Sequence, residues 1–167
     1  MSATAQHHRT IIHVDLDAFF CAVEEQRDPS LRGKAFAVGG RPEARGVVAS
    51  CSYAARQFGV RSAIPMSQAI ALCPGLLVVS PNFPAYREVS RRVMEYLHTL
   101  TPLVEQVSID EAFLDVSELG NSGATVAAQL QAGIRDTLEL SCSLGVASNK
   151  LVAKIATDIG KTAARTG

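Results

Sequence analysis

The stretch Ile11-Ile12-His13-Val14-Asp15-Leu16-Asp17-Ala18-Phe19-Phe20 reads as a buried strand that delivers a carboxylate to its end and then turns into a helix. A second stretch, Val107-Ser108-Ile109-Asp110-Glu111-Ala112-Phe113, sets two adjacent acids into an otherwise apolar run. Carboxylates held in hydrophobic strands repel one another and resist desolvation, so they need cations. Hard oxygen ligands on rigid strands suit Mg²⁺, which bridges protein and a polyphosphate more readily than it enters an all-protein cage. Asp15, Asp110 and Glu111 are therefore the candidate metal ligands. A single acid at a strand end is more often merely solvated, and it is the set that carries the argument.

After the first strand, 11–16, a helix is expected from Ala18 to about Gln26, with Asp17 placed to cap it. Asp28-Pro29-Ser30 and Gly33 break the chain, and β-prone runs follow at 35–38 and 46–50, joined through Gly39-Gly40-Arg41-Pro42. Ser52 and Gly59 frame a helix over 53–58, and Pro65 opens another that ends by Cys73-Pro74-Gly75. Then come a strand at 76–79, an amphipathic helix over 84–100, and strands 103–108 and 112–116, whose hairpin has Asp110 and Glu111 at or beside its tip. A helix at 124–138, a strand at 142–147 and a final helix introduced by Ser148-Asn149 complete the order. Without residues 21–77 the order is strand, helix, strand, strand, helix, strand. That is the split βαβ pattern of a ferredoxin-like α+β fold, an antiparallel sheet with helices on one face and a small inserted subdomain.

A chain of 167 residues, 47% of them hydrophobic, is long enough for one domain, or for one domain carrying an insertion. Sixteen basic and sixteen acidic residues cancel, which argues against strong nucleic-acid binding by charge alone. The balance is uneven along the chain: residues 21–77 hold seven Lys or Arg against four Asp or Glu, and residues 148–167 four against one. A locally basic strip beside an acidic pocket suits a substrate that is polyanionic and metal-bound, although such excesses are also ordinary on solvated surfaces. Cys21, Cys51, Cys73 and Cys142 form no Cys-x-x-Cys pair, so reduced thiols in the cytoplasm are expected. No apolar run has the length of a membrane span, and residues 1–10, with His7 and His8, read as a flexible arm without the apolar core of a signal peptide.

Four ordered blocks of this sequence resemble the Y-family, or translesion, DNA polymerases of the bacterial polymerase IV type. They are Val14-Asp15-Leu16-Asp17-Ala18-Phe19-Phe20, the run from Ser50-Cys51-Ser52-Tyr53 to Gly59-Val60-Arg61-Ser62, Ser108-Ile109-Asp110-Glu111-Ala112-Phe113-Leu114-Asp115, and Ser143-Leu144-Gly145-Val146-Ala147-Ser148-Asn149-Lys150-Leu151-Val152-Ala153-Lys154. The resemblance implies a palm made of residues 11–20 and 78–167, fingers made of 21–77, and a chain that lacks the thumb and little-finger domains. It implies two Mg²⁺ ions, or Mn²⁺ in their place, bound by Asp15, Asp110, Glu111 and the backbone carbonyl of Leu16, with the ions roughly 3.5 to 4 Å apart. Phe20 matches the steric gate that excludes a 2′ hydroxyl, and Phe19 is the more core-like of the two rings. Ser50, Tyr53, Arg56 and Lys154 match contacts to the incoming nucleotide, with Ala49 lining the base pocket and Phe19 beside it. Arg61 is a weaker candidate near DNA, and Lys150 goes to the surface or to a DNA phosphate.

Those matches imply a template-directed DNA polymerase core with primer–template DNA and a deoxynucleoside triphosphate as partners. A monomer off the membrane is expected, and sliding-clamp binding only through the missing C-terminal region. A nucleotidyl cyclase can use a comparable palm and two metals, but its diguanylate version would carry a Gly-Gly-Asp/Glu-Glu-Phe hairpin where this chain has Ser108-Ile109-Asp110-Glu111-Ala112-Phe113. A nucleotide-binding or protein-interaction module left over from a polymerase is the non-enzymatic alternative, against which the intact acids argue.

Overall fold

The computed structural model describes residues 9–166, with side chains through Thr162. Most of the expected arm, including His7 and His8, lies outside the described residues. Its last two residues are tied down. The Arg9 guanidinium pairs with Asp115 at 2.9 Å, and the Thr10 amide donates to Ser117 Oγ at 2.9 Å.

Residues up to Asp17 together with those from Ser90 onward form one compact unit, and Ala18–Val89 forms a second. In the first unit, β1 (Ile11–Leu16), β5 (Val104–Gln106), β6 (Glu111–Asp115) and β7 (Cys142–Ala147) build an antiparallel sheet in the order β5-β6-β1-β7. That order is the one the split βαβ pattern expects. Strand alternation sorts the side chains of β1. Ile12, Val14 and Leu16 enter the core on one face, while His13 and Asp15 point to the other.

Two helices cover the Ile12 face, as expected. They are the second half of α4 (Phe83–His98) and α5 (Gly123–Leu138). A Cβ on Gly133 of α5 would lie 1.7 Å from the Tyr96 hydroxyl of α4, and one on Gly123 would lie 2.6 Å from Val146 Cγ1. A third helix, α6 (Lys150–Thr166), packs on the opposite face, where a Cβ on Gly145 would strike the Ala153 carbonyl oxygen at 2.0 Å.

The second unit holds α1 (Phe19–Arg27), β2 (Phe36–Gly39), β3 (Val48–Cys51), α2 (Tyr53–Gln57), α3 (Met66–Leu72) and β4 (Leu77–Val79). Its sheet runs β3-β2-β4, with β2 antiparallel to β3 and parallel to β4. Ala37, Val48, Cys51, Ala55, Val60, Met66, Ala69, Cys73 and Leu76 make its core. Ser52 caps α2 by accepting the Ala55 amide at 3.2 Å, and Gly59 takes the positive φ of 88° expected after that helix. The compact division falls after residues 17 and 89, where the sequence placed it after 20 and 77. The later edge has a packing cause: β4 joins β2 in this sheet, and the first turns of α4 bring Phe83 and Tyr86 to the rings of Phe19 and Phe20.

Among the described residues no helix is long and apolar enough to cross a membrane. Cys21, Cys51, Cys73 and Cys142 are free and buried. Burial pushes the thiols of Cys21 and Cys142 up to about 12.

Candidate active site

The first unit presents a row of acids on the face that α6 covers. Asp15 is in register with Glu111 on β6 and with Ser143 on β7, so the three side chains stand side by side across the sheet. Like charges opposite one another destabilise a sheet unless cations offset them. The α6 helix supplies the cations: Lys154 Nζ lies 2.6 Å from Glu111 Oε1, and Lys161 Nζ 2.6 Å from Asp15 Oδ1.

Asp17 corrects the sequence reading. The cap position of α1 falls on Ala18, at φ 45°, without a side-chain cap. The Asp17 carboxylate instead accepts from Ser143 Oγ at 2.8 Å and faces Lys161 Nζ at 3.5 Å. Asp17 lies one residue past the end of β1, and these contacts set it at the end of the row that Asp15 begins.

The turn between β5 and β6 carries the third expected ligand. Ser108 Oγ receives the amides of Asp110 and Glu111 at 3.3 and 3.1 Å and donates to Asp110 Oδ1 at 2.6 Å. The Asp110 carboxylate is thus engaged within its own turn, and its carbonyl accepts the Leu16 amide at 3.0 Å. Among the described residues no group of three or more acids, histidines or cysteines is gathered as a ready metal cage. The structure brings Asp15, Asp17 and Glu111 together against two lysines and holds Asp110 beside them in the hairpin turn.

Charge and burial set the acidities. Burial raises the Asp15 carboxyl above its ordinary value against the pull of Lys161. Burial also acts to raise Glu111, but the hydrogen bond and charge of Lys154 outweigh it and hold that carboxyl below its ordinary value. The hydrogen bond to Glu111 raises Lys154. His13 is fully buried, its ring tilted at 45° to that of Phe113 with centroids 4.7 Å apart; burial, then the charge of Lys154, lowers it. Its Nδ1 lies 2.9 Å from Thr157 Oγ1, while its Nε2 has no hydrogen-bond partner and faces Glu111 Oε1 at 3.8 Å.

The second unit holds the remaining candidates. Phe19 is 3% exposed, whereas Phe20 is half-buried and stacks on Tyr86 with centroids 4.4 Å apart. Phe19 is accordingly the more core-like ring, as expected. Tyr86 is fully buried, and its hydroxyl donates to the buried Glu24 at 2.6 Å. On β3, Ala49 points outward while Ser50 turns inward beside the Cys21 thiol at 3.4 Å. Tyr53 is exposed, and the Arg56 guanidinium lies 5.0 Å over its ring while donating to the Cys51 carbonyl at 3.3 Å. Arg61 donates to the carbonyls of Arg56 and Val60 at 2.6 and 2.7 Å, which ties it to the C-terminal end of α2. In the first unit, Lys150 pairs with Glu105 and lies 5.8 Å over the Phe113 ring.

Sequence reasoning missed Lys161 and His13. Their signal was present in the spacing: Lys150, Lys154, Thr157 and Lys161 fall on one stripe of α6, and His13 shares strand parity with Asp15.

A ferredoxin-like sheet with an acid row on its central strands defines the class, and the chain belongs to the impB/mucB/samB family, whose pattern matches residues 14–158. It is 49% identical to DNA polymerase IV of Ralstonia nicotianae over 156 residues, which is 92% of this chain and 44% of the relative. It is 50% identical to DNA polymerase IV of Pseudomonas aeruginosa over 153 residues, 90% of this chain and 44% of that one. The chain therefore spans less than half the length of these relatives. Among solved structures it is similar to DinB from Sulfolobus solfataricus, with TM-score 0.84 and 35% identity over 89% of this chain and 45% of the other. An insertion ternary complex of Dbh DNA polymerase matches with TM-score 0.84 and 36% identity over the same shares.

Proposed function

We propose that this chain is the palm-and-fingers portion of a DNA-directed DNA polymerase. It would transfer a nucleotidyl group from a deoxynucleoside triphosphate to a primer 3′ hydroxyl, releasing pyrophosphate, in error-prone lesion bypass. A cytoplasmic monomer is the form that fits this role. The carrying observation is the acid row of Asp15 and Glu111 on neighbouring strands, on the face that α6 lines with lysines.

The donors fit a divalent metal because Asp15 and Glu111 present hard carboxylate oxygens side by side, each already holding an ammonium group. Asp15, Asp110 and Glu111, with the Leu16 carbonyl, would hold two Mg²⁺ or Mn²⁺ ions. When bound, these ions neutralise charge on the transferred phosphate and favour ionisation of the attacking hydroxyl. The chain's own work is positioning and charge. Lys154 offers a cation for triphosphate oxygens. Tyr53 and Arg56, one helical turn apart, offer a hydroxyl and a guanidinium to the same kind of oxygen. Ser50, Ala49 and Phe19 complete the nucleotide contacts in this reading, and Phe20, braced by Tyr86, excludes a ribose 2′ hydroxyl.

The test joins this chain to the remaining half of Pseudomonas aeruginosa DNA polymerase IV and measures Mg²⁺-dependent primer extension. Asp110→Ala and Glu111→Ala should each reduce extension at least about 100-fold while leaving primer–template binding nearly intact. Substantial extension by either variant would overturn the proposal.

A further inference from the structure

We infer that Lys161 is a built-in counter-ion of the acid row, which a divalent metal must displace from Asp15 and which Asp17 then receives. The inference rests on the metal reading above and adds a competitor to it. Three carboxylates, Asp15, Asp17 and Glu111, face two ammonium groups on α6. The helix is fixed at this height, because Gly145 lets its backbone approach β7 and the His13–Thr157 hydrogen bond ties it to β1. The lysines therefore stand over the acids as resident cations.

The two lysines are not equivalent. Lys154 answers Glu111 at 2.6 Å, whereas Lys161 sits between two acids, 2.6 Å from Asp15 and 3.5 Å from Asp17. Asp17 is anchored by the Ser143 hydroxyl, so it stays in place when Asp15 changes partner. A shift of Lys161 toward Asp17 keeps an ion pair intact while freeing Asp15 for a metal. A second observation points to a ligand at the same place. The Thr157 hydroxyl donates to the Ala153 carbonyl at 3.2 Å, so it accepts from His13 Nδ1 and leaves Nε2 as an unmatched acceptor aimed at Glu111. This buried nitrogen without a donor lies 3.8 Å from Glu111 Oε1, in the same row of acids that the metal would enter.

The test titrates Mn²⁺ into the 167-residue chain at fixed pH, following free Mn²⁺ by electron paramagnetic resonance. Lys161→Met should bind Mn²⁺ about two- to fivefold more tightly than the parent, because a partly exposed ion pair no longer has to be broken. Lys161→Gln, a gentler change, should move the same way. Thermal unfolding gives an independent readout: either variant should melt lower in EDTA and recover with Mg²⁺ by more than the parent does. Asp17→Asn should weaken Mn²⁺ binding in the parent and have a smaller effect in the Lys161→Met background. Asp15→Asn separates the two readings. If it binds Mn²⁺ like the parent, the metal reading fails and this inference with it. If it loses binding while both Lys161 variants bind no more tightly than the parent, the counter-ion inference alone is overturned. An Asp17→Asn effect undiminished without Lys161 would refute the receiving role of Asp17.

Discussion

Gly145→Ala is the smallest change that should lift α6 from the sheet. A Cβ there would lie 2.0 Å from the Ala153 carbonyl oxygen and 2.6 Å from both the Thr157 amide nitrogen and Oγ1. Ordinary contact begins near 3.4 Å, and the obstructing atoms are mostly helix backbone, which cannot turn aside as a side chain would. The helix must translate or tilt by about 1 Å, a form of overpacking that costs about 1–3 kcal/mol. Losing the buried hydrogen bond between His13 and Thr157 adds about 1 kcal/mol. For a chain of this size these costs lower Tm by about 5–15 °C. The control is Gly160→Ala, also on α6, where an added Cβ meets nothing within 4 Å. Replacing a helical glycine there should stabilise by about 0.5–1 kcal/mol. Circular dichroism melts of the three chains give the comparison. A Gly145→Ala melt equal to or above the parent's would refute the close approach of α6, and with it the placement of Lys154 and Lys161 over the acids.

In the joined polymerase, Phe20→Ala should admit ribonucleotides while keeping much of the deoxynucleotide activity, since a steric exclusion is removed and no attraction is lost; an unchanged sugar preference would return Phe20 to the core. Tyr86→Phe strips the buried Glu24 carboxylate of a 2.6 Å donor and should cost about 1–3 kcal/mol in urea unfolding, while an unchanged midpoint would refute that account. The Glu111–Lys154 pair should stabilise the fold between the ordinary values of 4.5 and 10.5, fading as pH falls through the depressed Glu111 value and as it rises through the raised Lys154 value. Because Lys154 is 42% exposed, the gain is only about 0.5–1 kcal/mol; Glu111→Gln should remove it at pH 7, and an unaltered stability difference between pH 7 and pH 3 would count against the pair. Asp15 acts with the opposite sign, its raised carboxyl favouring the folded chain only toward low pH. With sixteen charges of each sign, the isolated chain should fold cooperatively yet bind primer–template DNA weakly, and nanomolar binding at physiological salt would show a gripping surface on these two units.

The parts of the fold that were legible in the sequence are those where local chemistry and long-range packing agree. Ser52 and Gly59 bounded α2 because a side-chain cap and a positive φ are local demands. The order of strands and helices gave the ferredoxin-like sheet, because period and punctuation survive folding. Asp17 was misread for a reason that is equally physical. Asp is a strong N-cap residue, and the sequence offers no sign that Ala18 takes a left-handed conformation, which costs a residue bearing a Cβ about 1–2 kcal/mol. With the cap position displaced onto Ala18, Asp17 stays at the end of the acid row and meets Lys161, a residue 144 positions away in sequence and unrelated to it by any local rule. Lys161 was obscured for the complementary reason, since a lysine late in a helix reads as solvated until the helix has a surface to lie on. Gly145 supplies that surface by having no side chain. The absence of one Cβ on β7 thus lets α6 lie close enough to the sheet for Lys154 and Lys161 to reach the acids.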